Sequence, residues 1–444
     1  MPPVSSGSVA PPARSYWITT LGCPKNEVDS AKLAGRLTES GYAEASGPDE
    51  ADLIVVNTCA FIQPAREESI DTILALSESR RPGARLAVTG CLAERSGAEL
   101  AEAMPEIDVV AGFGMDVTSD SSTPVAFRPR ESVPAFDLLE LPRPPAQAPW
   151  AYVKVAEGCD RRCGFCAIPS FRGRQRSRQL ASILAEVDAL DASEIVLVAQ
   201  DLASYGRDRS SESRTQTASI LELVSEVAQR ERWVRLLYLY PSSLNDRLID
   251  TILSTEVPYF DLSLQHVSAP LVRRMRRWGN RERFLERIRR IRQLEPDAVL
   301  RSSFILGYPG ETEEDQDELL GFLEEAQLDW AGLFTFSPEA GTFAVGLDPS
   351  LSVPPGLALE RLAECSELQD AITTRRRANI VGTEMTVLVE SSESGRSYRE
   401  APEIDGVVRL RGLPAELVHE RGAFVRARCI GSEGPDLIAE VVAE

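Results

Sequence analysis

"GCDRRCGFC", Gly158 to Cys166, decides how the rest of the chain is read. It places Cys159, Cys163 and Cys166 in the pattern C-x3-C-x2-C. Thiolates select soft metals, chiefly zinc or iron–sulfur clusters. Such sites commonly take four protein ligands, and this stretch offers three. A structural zinc site would need a fourth ligand elsewhere. The chain has only two histidines: His266 ends a strand-like run and could line a site, and His419 lies far along the sequence. In a 4Fe–4S cluster three cysteines leave one iron open, and an open position is what substrate chemistry requires.

The stretch follows an apolar, β-rich run at Tyr152–Ala156. Five similar runs come after it, at Glu194–Ala199, Arg235–Leu239, Phe260–Leu264, Val299–Leu306 and Gly332–Phe336, with helical periodicity between them. Thr312 reads as a helix N-cap, with Glu313, Glu314 and Asp315 in the first turn where carboxylates suit the helix dipole. Leu319, Phe322, Leu323 and Ala326 then form its apolar stripe. Six β–α units predict either an open doubly wound sheet or a partial barrel. In both, sites collect at the C-terminal ends of the strands. Every run here ends in polar or glycine-rich residues ("QD", "YPSS", "QHVS", "GYPGE", "SPEAGT"), which favours a barrel whose strands share one site.

Upstream, strand-like runs at Tyr16–Thr20, Leu53–Asn57, Arg85–Thr89 and Ile107–Ala111 alternate with helical patterns such as Val28, Ala31, Ala34 and Leu37. That alternation predicts a parallel sheet with helices packed on it. Cys23, Cys59 and Cys91 each follow one of its first three strands. Ends of successive parallel strands converge, so the three could share one metal cluster. They could equally be small buried residues, since free cysteine packs like a hydrophobe. Cys365 and Cys429 have no partners in sequence and read as packing residues.

Downstream of Ala378, short runs ("MTVLVE", "GVVRL", "AFVRARCI", "LIAEVV") separated by turn residues predict a small antiparallel β barrel or sandwich. The α/β chain thus divides into a disordered tail (1–14), an N-terminal domain (15–115), a Ser/Pro-rich linker (116–149), a partial barrel (150–377) and a β module (378–444).

Composition narrows the function. The 444 residues are 43% hydrophobic, enough for large buried cores, and carry a net charge of −20. That charge argues against broad nucleic-acid binding, which needs a basic surface. "RGRQRSR" (172–178), "RRMRR" (273–277) and "RRR" (375–377) remain candidates for a local basic groove, or plain solvated faces. No apolar run reaches the roughly 18 residues of a membrane helix. The N-terminus lacks the features of a signal peptide. A cytoplasmic location is expected, where clustered cysteines point to metal rather than disulfides.

"GCDRRCGFC" after a first barrel strand resembles the radical S-adenosylmethionine (SAM) superfamily. There the open iron binds SAM, whose reductive cleavage gives a 5′-deoxyadenosyl radical. "LGCPKNEVDS", "NTCAFI" and "TGCL" resemble the N-terminal domain of the methylthiotransferases, and the β module is similar to a TRAM domain. The resemblance implies two 4Fe–4S clusters, one on Cys23, Cys59 and Cys91 and one on Cys159, Cys163 and Cys166. It also implies an electron donor and a sulfur source. "LGCPKNEVDS" and "GRSYREAPEIDG" (395–406) resemble the RimO branch, which modifies the β-carbon of an aspartate on small-subunit ribosomal protein twelve. The alternatives are a transfer-RNA adenosine methylthiotransferase and a non-enzymatic iron–sulfur protein.

From Ala378 onward, 12 Asp and Glu face 7 Arg and no Lys, a balance that suits a basic protein partner such as the ribosomal protein or the ribosome better than RNA. Many relatives carry a histidine between the first two cysteines, where this chain has "DRR". By position, Gln200 and Asp201 could contact SAM, and Gly307 and Gly310 could let the backbone approach its adenosine. "GRSYREAPEIDG" serves either substrate docking or domain packing.

Overall fold

The computed structural model describes residues 14–118, 136–209, 219–230, 233–414, 416–417 and 422–442. Residues 1–13 of the expected tail, residues 119–135 of the expected linker and His419 lie outside the described residues. The chain forms two compact units, Met1–Pro144 and Pro145–Glu444.

The first unit is a five-stranded parallel sheet, in the order Ala43–Glu44, Ser15–Thr20, Leu53–Thr58, Arg85–Gly90 and Val109–Val110. The central strand Leu53–Thr58 is buried along its whole length, and its near-continuous apolar run is what a parallel strand covered on both faces requires. Helices Pro24–Glu39, Gln63–Ser79 and Cys91–Ala103 follow three of the strands. The stretch read as a linker is in part packed. Val117 joins the core, and the buried Lys32 ammonium donates to the carbonyls of Leu139 and Leu141 at 2.8 Å each. Arg36 lies over the Phe136 ring, 4.0 Å from its centre.

In the second unit all six expected barrel strands form: Trp150–Lys154, Glu194–Val198, Trp233–Leu236, Tyr259–Gln265, Val299–Leu306 and Trp330–Thr335. They are parallel and adjacent in chain order. The third and fourth are joined through Leu239, whose N–H donates to Asp261 and whose carbonyl accepts from Ser263. Val153, Leu197, Leu262 and Phe304 of the strands and Val187, Leu223, Ile288 and Leu319 of the helices belong to one buried core. The helix Glu313–Ala326 starts with a capping box between Thr312 and Asp315, and Leu319, Phe322, Leu323 and Ala326 are its buried stripe, as the pattern required.

After the long helix Pro355–Ala378 the chain closes a five-stranded barrel of Glu384–Val389, Ser394–Arg396, Val408–Arg411, Phe424–Glu433 and Asp436–Val441. Its pairings are antiparallel except for Val408–Arg411 with Asp436–Val441. Cys429 packs inside this barrel, and Cys365 is buried in the larger core.

Candidate active site

The cysteine loop leaves the first barrel strand at Gly158. Its φ of +77° belongs to the left-handed region, and a Cβ there would sit 2.1 Å from the Arg174 carbonyl oxygen. Only glycine meets both demands. The Cys159 N–H donates to the Gly173 carbonyl (3.1 Å) and the Gly164 N–H to the Met275 carbonyl (2.8 Å). The Gly164 carbonyl accepts from Ala344 N–H (2.8 Å), so the loop is tied on three sides. Gly164 also has to be small, because an added Cβ would come within 2.9 Å of the Tyr308 hydroxyl.

The three thiols are free and half-buried. Burial pushes the Cys159 thiol up to about 11 and the Cys166 thiol up to about 12. Such thiols become ligands only beside a group that brings positive charge with it. Cys159 Sγ accepts from the Arg161 N–H at 3.4 Å, and Cys163 Sγ accepts from Arg277 Nη1 at 3.1 Å. Among the described residues, no three Cys, His, Asp or Glu side chains are gathered around a single point as for one metal ion.

Beside the loop, Gln200 Nε2 donates to Glu157 (2.8 Å), and Arg161 Nε donates to Asp201 Oδ2 (2.6 Å). Burial alone would raise the Glu157 carboxyl, but Arg172 and Lys154 outweigh it and hold Glu157 well below the usual carboxylate range. Gln200 Oε1 and Asp201 Oδ1 are buried without a hydrogen-bond partner. These two acceptors are available to a ligand's donors. Gly307 and Gly310 are explained otherwise. Added Cβ atoms would meet the Ala358 side chain at 2.5 Å and Arg274 Nη1 at 2.5 Å, so the closeness they allow is to protein. His266 is fully buried; its Nδ1 accepts from the Ser268 N–H (3.1 Å), and burial pushes the ring down to about 4.

Cys23, Cys59 and Cys91 sit at one end of the first unit's sheet. The register pairs Thr20 with Asn57 and Thr58 with Gly90, and each cysteine follows its strand by one to three residues. Asn26 organises this end. Its Nδ2 donates to the carbonyls of Leu21 (2.8 Å) and Thr58 (3.1 Å), and its Oδ1 lies 3.7 Å from Cys91 Sγ. Gly22, at φ +97°, leaves room for Cys59, whose Sγ would be 2.8 Å from an added Cβ.

Several arginines of the basic runs are engaged by the protein itself, while the Arg174 side chain stays exposed. Arg172 pairs with Glu157 and the buried Arg178 with Glu186. Arg274 caps the carbonyls of Pro309 and Gly310, Arg276 stacks on Phe343, and Arg277 reaches Cys163. Arg376 pairs with Asp329 and Arg377 with Glu400. Arg161 and Arg277 both lie over the Tyr240 ring, 3.9 and 4.3 Å from its centre, and all three belong to the site although neither "DRR" nor "RRMRR" announces it in sequence.

"GRSYREAPEIDG" packs domains. Arg396 and Arg235 both lie 2.7 Å from Glu194, the first residue of the second barrel strand. Tyr259, which opens the fourth, donates to Asp405 (2.7 Å), and Trp330, which opens the sixth, donates to the Arg399 carbonyl (2.9 Å). The motif therefore holds the small barrel to the N-terminal ends of the strands, opposite the cysteine loop.

Residues 153–323 match the radical SAM superfamily, residues 15–112 match uncharacterized protein family UPF0004, and residues 381–442 match the TRAM domain. The chain is thus a radical SAM protein with a cysteine-bearing α/β domain before it and a TRAM barrel after it. It is 39% identical to the ribosomal protein uS12 methylthiotransferase RimO of Kineococcus radiotolerans, across 99% of each chain. It is 42% identical to that of Moorella thermoacetica over 90% of this chain and 93% of the relative, and 40% identical to that of Aquifex aeolicus over 88% and 89%. The chain belongs to the ribosomal protein uS12 methylthiotransferase RimO family.

Proposed function

We propose that this chain adds a methylthio group to the β-carbon of an aspartate in ribosomal protein uS12. On this reading Cys159, Cys163 and Cys166 hold one 4Fe–4S cluster, with SAM at its open iron, and Cys23, Cys59 and Cys91 hold a second. The observation that carries it is the pair of three-thiol sets, each at the C-terminal end of a parallel sheet, in a chain matched end to end by RimO proteins. When bound, these groups supply the radical that removes an unactivated hydrogen, which no acid or base side chain can do.

The residues around the loop bind and orient. Gly158 and Gly164 fix the loop, Gln200 Oε1 and Asp201 Oδ1 offer acceptors to the methionine end of SAM, and Arg161 holds the Asp201 carboxylate in place. The reaction needs an electron donor and a sulfur source from outside the chain. The TRAM barrel favours a protein substrate over transfer RNA, because its exposed Arg409, Arg426 and Arg428 are matched by the carboxylates of Glu433, Asp436 and Glu384 and leave no net positive face there. Among the described residues no helix is long and apolar enough to cross a membrane, and the cytoplasm is the proposed location. Mass spectrometry of uS12 from cells with and without the gene tests the proposal. A uS12 mass unchanged by deletion, with a methylthio group lost from transfer RNA instead, refutes the substrate.

A further inference from the structure

We propose that Arg277 sets the reduction potential of the cluster on Cys159, Cys163 and Cys166; the inference rests on the reading that those thiols carry a four-iron cluster. Its Nη1 donates to Cys163 Sγ at 3.1 Å, and its Nη2 donates to the Ser263 carbonyl at the end of the fourth barrel strand. The guanidinium lies over the Tyr240 ring, 4.3 Å from its centre. Arg161 lies over the same ring at 3.9 Å, but the Asp201 carboxylate compensates its charge. Arg277 has no carboxylate partner among the described residues, so its positive charge is directed at the sulfur.

The backbone fixes this placement at a cost. The short helix Ala269–Arg274 ends in a Schellman motif, with Arg277 N–H donating to the Val272 carbonyl and Arg276 N–H to that of Arg273. The left-handed position of such a motif normally goes to glycine. Here it is Arg276, at φ +55°. The strained turn delivers the next side chain, Arg277, to the cysteine loop.

An electron entering a cluster ligated by three thiolates adds negative charge. An N–H donor and a cation at a ligand sulfur favour that reduced state and raise its potential. Arg277 therefore brings reduction of the cluster within reach of its electron donor. It is a positioning and tuning residue, since it acts through Cys163.

The test uses the full-length chain, reconstituted anaerobically with iron and sulfide, as wild type, Arg277→Gln and Arg277→Lys. Samples are reduced stepwise with titanium(III) citrate and read by electron paramagnetic resonance. The signal that changes on adding SAM identifies this cluster. At the wild-type midpoint, Arg277→Gln should lower the ratio of reduced to oxidised cluster about tenfold, which is about 59 mV for one electron. Arg277→Lys, which keeps the charge, should recover part of the shift. A glutamine variant with full iron and a ratio within about twofold of wild type overturns the inference. So does a lysine variant shifted as far as glutamine, or a folded pair of variants that load no cluster, which would make Arg277 an assembly residue. A wild-type protein with no SAM-responsive cluster would instead refute the cluster reading itself, and the inference with it.

Discussion

Glu194→Gln tests the claim that "GRSYREAPEIDG" is a structural clamp. Glu194 and Arg235 are fully buried, and Arg396 is nearly so. Arg235 Nε donates to Glu194 Oε1 at 2.7 Å, while Arg396 Nη1 lies 2.7 Å from Oε2 without hydrogen-bond alignment. Arg396 has a second acid, Glu390, at 2.7 Å; among the described residues Arg235 has no other carboxylate at ion-pair distance, and Asp405 acts on it only from farther away. Neutralising Glu194 thus removes the one carboxylate in direct contact with Arg235. Breaking a buried pair by removing one partner costs about 3–5 kcal/mol. The lower end applies here, because a glutamine oxygen can still accept from Nε and the Tyr259 ring lies under the guanidinium, 4.4 Å from its centre. A loss of about 3 kcal/mol is a large share of the 5–15 kcal/mol that typically separates folded from unfolded. Urea unfolding followed by tryptophan fluorescence reads it, since Trp233 and Trp330 both open strands at this end. Iron content should not change, because the cysteine loop is at the other end of the strands. Glu384→Gln, which faces only the exposed Arg426 and Arg428, serves as the control and should leave the midpoint in place. A loss below about 1 kcal/mol in Glu194→Gln would refute the clamp.

Gly158→Ala should empty the SAM-binding site, because its Cβ meets the Arg174 carbonyl at 2.1 Å; iron per chain should fall by half, and full iron would show that the loop yields. Reconstituted wild type should hold about eight irons, and replacing Cys23, Cys59 and Cys91 by Ala should leave about four; complete loss would contradict independent sites. His266 is buried neutral beside Asp315 and Arg361, its ring pushed from 6.5 to about 4 chiefly by burial. Its contribution to stability is intact above pH 6.5 and lost as the pH falls toward 4, because the unfolded chain takes the proton first. The loss amounts to about 3 kcal/mol at about 1.4 kcal/mol per unit. Unfolding of His266→Phe should be flatter between pH 6.5 and 4, and an unchanged slope would assign the acid sensitivity to other groups.

The parallel strands were legible because each is a long apolar run between turn residues, and the cysteines because their spacing and their strand-end positions coincide. Some short strands escaped, among them Arg176–Ser177 inside an arginine run. Ala43–Glu44 is exposed, and Ser394–Arg396 lies inside a turn-rich motif with no alternation. The buried arginines of the basic runs escape sequence reading for a physical reason. A run of like charge looks like a solvated face, and only the fold brings Glu157, Glu186, Asp329 and Glu400 to meet it. Gly307 and Gly310 show the converse. Their left-handed conformations explain why glycine is there, but the neighbour that needs the space is Ala358 or Arg274, which no local pattern announces.

These placements change what the chain's charge means. A net charge of −20 with three arginine-rich runs suggests an acidic body with basic patches. In the structure much of that basic charge is used internally. Arg172, Arg178 and Arg377 are buried against carboxylates, Arg274 is tied to backbone carbonyls, and Arg277 is turned toward a cysteine. Exposed acids such as Glu384 and Glu325 are themselves paired with arginines, so the net charge of −20 comes from the excess of acids over the whole chain. Arginines divide between the two ends of the parallel strands, Arg172 and Arg277 at the cysteine loop and Arg235, Arg377 and Arg396 at the small barrel. At the C-terminal ends they hold and tune the cysteine loop, and at the N-terminal ends they clamp the small barrel. Stability and chemistry can therefore be perturbed separately, which is why Glu194→Gln should weaken the fold while sparing iron, and Arg277→Gln should shift a potential while sparing the fold.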